Sequence, residues 1–87
     1  MFKTGDLVKS LCGHDKGEYF IVIEADENTV VICDGKRRKA DNKKIKKNKH
    51  VKETGLCSDI ISSLPPFAVD ANVRREIKRL TNLIAEV

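Results

Sequence analysis

The sequence predicts a mainly β protein: a small barrel of short strands followed by a C-terminal α-helix. Three observations carry that reading. Two runs rich in β-branched and aromatic residues, Glu18-Tyr19-Phe20-Ile21-Val22-Ile23-Glu24 and Thr29-Val30-Val31-Ile32-Cys33, are separated by a single polar turn. Glycine and Asx residues punctuate the chain wherever an apolar run stops. Beyond residue 71 the apolar period changes, with Val73, Ile77, Leu80, Ile84 and Val87 recurring at spacings of 4, 3, 4 and 3.

The elements follow in order. Gly5-Asp6 opens a first strand through Leu7, Val8, Leu11 and Cys12. Gly13-His14-Asp15-Lys16-Gly17 is a loop whose two glycines allow positive φ. The run from Glu18 to Glu24 is the strongest strand, apolar on both faces, and Asp26-Glu27-Asn28 turns it into the next. Asp34-Gly35 is a tight-hairpin signal, after which Arg37-Arg38-Lys39 pairs back as a short strand. Residues 40–48 read as a polar loop with Ile45 as its one anchor, and residues 49–52 as a last strand with Val51 facing in. Closing such strands into a barrel removes their free edges. Pro65-Pro66 forbids a helix across residues 55–70, which form a connector packed on the barrel. Asp70 or Asn72 then caps a helix over residues 71–86, with Arg74, Arg75, Lys78 and Arg79 off its apolar stripe. The expected division is residues 1–54 for the barrel and its basic arm, 55–70 for the connector, and 71–87 for a helix packing on the barrel or on a partner.

Charge is unevenly distributed. Ten of the seventeen residues from 36 to 52 are Lys or Arg, with Asp41 the sole acid, giving that stretch a formal +9. The other seventy residues sum to −5, seven Lys/Arg against twelve Asp/Glu. A focused cationic patch on an otherwise acidic chain calls for a polyanion, and nucleic acid is the first candidate. No apolar run reaches the length of a membrane span, and residues 1–6 lack the apolar core of a signal peptide, so the expected compartment is the cytoplasm with no membrane partner. Cys12, Cys33 and Cys57 are odd in number and lack paired spacing, which argues for reduced thiols, mostly buried.

The segment from Gly5 to Ile23 resembles a KOW motif: a strand, a glycine-containing basic loop, and a second strand with a defining glycine, here Gly17, just before it. The continuation Val31-Ile32-Cys33-Asp34-Gly35-Lys36-Arg37-Arg38 narrows the likeness. It is similar to the bacterial KOW-domain RNA-binding proteins related to eukaryote-type large-subunit ribosomal proteins. The resemblance covers residues 5–52. It implies an SH3-like barrel and a ribonucleoprotein role in translation, with contact to structured rRNA on or near the large ribosomal subunit.

The expected RNA-binding residues are those of the loop and of the basic run. In the loop, Gly13 and Gly17 let backbone N–H groups approach a phosphate, Lys16 adds charge, and His14 stacks on a base or touches a phosphate. His14 and Asp15 have an equally simple reading as plain loop chemistry, with Asp15 closing an Asx-type turn. In the run, Lys36, Arg37, Arg38 and Lys39 lie on a folded strand, where the arginines form bidentate forks with phosphate. Lys43, Lys44, Lys46, Lys47 and Lys49, with His50, form an arm that orders on RNA. Tyr19 and Phe20 belong to the core, so aromatic platforms are scarce and recognition falls on RNA shape.

Other chemistry finds little support in the residues. Cys12, His14, Cys33, His50 and Cys57 lack the close pairing of structural zinc ligands, so no metal or cofactor is expected. Nothing marks a nucleophile with an oriented base, a Walker loop or a dinucleotide fingerprint, so no enzyme is expected. Two rival readings remain: a transcription-complex or general nucleic-acid adaptor, and a protein–protein module that works through the helix.

Overall fold

A computed structural model of the chain describes residues 1–85. Its elements are β1 (Asp6–Ser10), β2 (Tyr19–Ala25), β3 (Thr29–Cys33), β4 (Lys44–Lys47), β5 (Val51–Cys57) and α1 (Val69–Ala85). The strands form one antiparallel sheet in the order β4-β3-β2-β1-β5. The fold is therefore mainly β, with a C-terminal helix. Register shifts between Asp6 and Val8 and between Val22 and Glu24 bend the strands locally.

The period of two sorts the strand residues onto two faces. On one face Leu7, Ile21 and Cys33 are buried under Val73 and Leu80 of α1 and under Ile61. The 4-3-4 stripe of the helix is used here, against its own sheet. On the other face Val8, Phe20, Val22, Val30, Ile32 and Val51 are at most 5% exposed, although no helix among the described residues packs on them. A single flat sheet leaves such a face wet, so this one curls over itself. Two hydrogen bonds locate the curl. Asn48 N donates to Asn28 O at the β2–β3 turn (2.8 Å), and Leu11 N, just past β1, donates to His50 O (2.9 Å). Three residues of 3₁₀ helix, Asn48–His50, thus link points that a flat sheet holds at opposite ends.

The strand ladder itself stays open. β4 and β5 are its edges, and no pairing joins them among the described residues. The closed barrel expected from the sequence is thus replaced by a curled open sheet.

Several local expectations are corrected. Residues 36–39 are not a strand. The Asp34 carboxylate accepts hydrogen bonds from the N–H groups of Lys36 and Arg38, both at 2.9 Å, and so holds them in a turn. The edge of β3 that such a strand needs is taken by β4. Residues 44–47, read as loop, are that strand, and Ile45 is 67% exposed rather than an anchor. β5 begins at Val51, which is buried as expected, but runs on to Cys57 and takes three residues from the connector. The helix starts at Val69, so Asp70 and Asn72 lie inside its first turn instead of capping it. Leu11 falls beyond β1 and is exposed. The expected helix end at residue 86, and Val87 of the stripe, lie outside the described residues.

Candidate nucleic-acid interface

The loop after β1 is built around Asp15, which lies at its centre and is buried. Ser10 Oγ donates to Asp15 Oδ1 (2.7 Å), Lys46 Nζ donates to the same oxygen (2.8 Å), and Lys44 Nζ donates to Oδ2 (3.0 Å). Lys46 Nζ also reaches Ser10 Oγ (2.6 Å) and Cys12 O (2.7 Å), which exhausts its three donors. Register explains why these lysines point inward. Lys46 stands opposite Val30 and Lys44 opposite Ile32, so both share the inner face of the curl. Burial alone raises the Asp15 pKa; the hydrogen bonds from Lys46, Ser10 and Lys44 outweigh it and hold the carboxyl well below the usual carboxylate range.

Gly13 and Gly17 turn the loop at φ near +89°, and Gly17 N donates to Ser10 O (2.9 Å). His14 and Lys16 are left exposed at its tip. Across from it stands the turn after β3. There the Arg37 guanidinium, 80% exposed, donates to Glu18 at 2.7 Å. The two loops face each other over a cleft of about 300 Å³. His14, Asp15 and Glu18 line one wall, Arg37, Arg38, Asn42 and Lys44 the other, and Phe20 and Asp34 complete it.

The structure therefore divides the sequence-predicted site. Gly13, His14, Lys16 and Gly17 lie on one exposed loop, and Lys36, Arg37, Lys39 and Lys43 are exposed on the facing one. Arg38 is half-buried beside them. Lys44 and Lys46 are tied to Asp15, and Lys46, 7% exposed, is closed to any ligand. Lys47 and Lys49 are exposed near the β2–β3 turn, where Thr29 pairs with Lys47, and His50 is half-buried in the 3₁₀ turn. The five lysines from 43 to 49 do not form one free arm, because residues 44–47 are a paired strand.

Sequence reasoning missed Ser10, Glu18, Asn42 and the central role of Asp15. The plain-turn reading of Asp15 gave no hint of a partner thirty-one residues away. Arg74 was missed too: its guanidinium donates to Gly35 O, tying α1 to the basic turn.

Among the described residues, no three His, Cys, Asp or Glu side chains gather into a metal-binding group. The cysteines are free, with Cys33 buried, Cys12 half-buried and Cys57 exposed. Burial, then the nearby Asp70 and Asp34 carboxylates, push the Cys33 thiol up to about 12. No described helix is long and apolar enough to cross a membrane. No protein-family model matches the sequence, and a search of curated proteins finds no match.

Proposed function

We propose that the protein binds structured RNA, and that its target is rRNA on or near the large ribosomal subunit, in the cytoplasm. The observation that carries this reading is the cleft, which brings the 13–17 loop and the basic 34–44 segment to face each other. Seven of the ten cations between residues 36 and 52 are exposed: Lys36, Arg37, Lys39, Lys43, Lys47, Lys49 and Lys52. The ribosomal target rests on the resemblance to KOW-domain proteins, and so does an SH3-like reading of the curled sheet.

Phosphate contact supplies the affinity. If six phosphates are neutralised, log K falls against log salt with a slope of about −4 to −5. Shape supplies the selectivity, because Phe20 is buried and Tyr19 lies half-buried, so apart from His14 the cleft lining offers bases no exposed aromatic ring. The reading of the helix as a protein-docking element loses its main support, since the apolar stripe packs on the sheet. The adaptor reading shares the same surface and differs in its partner.

The test is binding to a structured rRNA fragment by fluorescence anisotropy, with Lys36, Arg37 and Lys39 replaced by glutamine. A loss of at least tenfold is expected. Unchanged affinity rejects the assignment of that segment. Crosslinking in cells with sequencing of the attached RNA separates ribosomal from polymerase-associated targets.

A further inference from the structure

The turn after β3 has a second concave side, facing away from the cleft. There a groove of about 210 Å³ runs between the helix and the outer sheet face, lined by Tyr19, Lys36, Arg37, Arg74 and Ile77 together with Glu18 and Asp34. The register carries the groove onward across the sheet. Tyr19 pairs with Lys9, and Lys9 pairs with Lys52, so the three share one face in one row. Lys9 Nζ sits 5.7 Å from the centre of the Tyr19 ring. On α1, Lys78 follows Arg74 by one turn and is exposed on the same flank. Cations from four separate parts of the chain thus converge, Lys36, Arg37 and Lys52 from the basic run and Lys9, Arg74 and Lys78 from outside it. The two acids of the groove are occupied: Glu18 holds Arg37, and Asp34 holds the Lys36 and Arg38 amides.

Arg37 lines both the cleft and the groove, so the 34–38 turn is a ridge with a hollow on either side: the groove presents Lys36, Arg37 and Arg74, and the cleft Arg37, Arg38 and Lys44 with Asp15, Glu18 and Asp34 beside them. Two phosphate lines flanking a shallow channel are what the minor groove of A-form RNA presents. We propose that the ridge enters that groove, and that Lys9, Lys52 and Lys78 hold the second backbone while the cleft side holds the first. The ligand is then a double-stranded RNA segment and not a single strand. This rests on the RNA-binding reading and adds to it a second surface and a strandedness.

The experiment compares an RNA hairpin with a stem of about 16 base pairs and an unstructured strand of equal length, by anisotropy over salt. The variant is Lys9→Gln with Lys52→Gln and Lys78→Gln, with circular dichroism checking its fold. The expected result is a loss of about tenfold or more on the hairpin, a salt slope shallower by about 3, and unchanged affinity for the single strand. Arginine at the same three positions restores hairpin binding. Removing charge elsewhere, at Lys3 and Arg75, leaves it unchanged. Wild-type hairpin affinity in the triple glutamine variant overturns the second surface and leaves the RNA reading standing. An equal loss on both RNAs also overturns it, as diffuse charge then suffices. A wild-type protein that binds neither RNA removes the RNA reading itself.

Discussion

Replacing Lys46 tests the arrangement most severely. The residue is 7% exposed, and its ammonium donates to Ser10 Oγ, Cys12 O and Asp15 Oδ1 at 2.6, 2.7 and 2.8 Å. Lys46→Ala leaves a buried carboxylate with one cation, Lys44, whose side chain is 29% exposed and lies on the other oxygen. Breaking a buried pair from one side costs about 3–5 kcal/mol, and the remaining Lys44 places this case near 3. That is roughly a hundredfold in the folding constant and about 12–24 °C in melting temperature for a domain of this size. Urea unfolding of Lys46→Met, Asp15→Asn and the double variant should give a coupling of about 2 kcal/mol or more, little changed by added salt. The acid limb gives a second readout. The Asp15 pKa is depressed in the fold. Its contribution is therefore complete above the unfolded value of about 3.9 and is lost as pH falls through the folded value. The wild type should lose stability on acidification more steeply than Asp15→Asn. A Lys46→Ala protein within about 0.5 kcal/mol of wild type, a size ordinary for surface changes, refutes the reasoning.

Two further outcomes follow from burial. Gly35→Ala places a methyl group 2.3 Å from Asp70 O at a φ of +76°. The backbone term alone costs about 1–3 kcal/mol, and the overlap lifts α1 off the basic turn; thermal melts and amide exchange of the helix check both. Thiol titration of the native protein at pH 8 should find Cys57 reacting at once and Cys33 silent until unfolding, because Cys33 is buried with its thiol pushed up to about 12. Fast labelling of Cys33 contradicts the packing of β3 under α1.

The two strongest strands, the turns between them and the terminal helix were legible in the sequence, because each carries its own period. β4 was not. Its sequence, Lys44-Ile45-Lys46-Lys47, alternates polar and apolar in the opposite sense to its burial, with Ile45 outside and Lys46 inside. Periodicity assigns the apolar residue inward, and here the inward charges have partners on a loop some thirty residues earlier. The same blindness affects the site. Glycines and local charge density pointed to the 13–17 loop and residues 36–39. That the loops share a cleft depends on the curl, and the Lys9–Lys52 row depends on β1–β5 register. Both are non-local pairings without a local signal.

The inward lysines raise a question that the charge count hides. A buried ion cluster is not required for stability, since apolar residues of similar volume often serve as well or better. β4 is, however, an edge strand, and inward-pointing charge is one of the devices that keep such edges from pairing with another chain. The cluster also fixes the 13–17 loop against β4, which sets the width of the cleft. An apolar exchange, Asp15→Leu with Lys46→Met, separates these roles from stability. It should fold within about 1–2 kcal/mol of wild type, given how such exchanges behave. It should nevertheless self-associate in sedimentation velocity and bind the structured RNA more weakly, although the removed lysine faces no solvent. A monomeric double variant with wild-type RNA affinity would reduce the network to a filled interior.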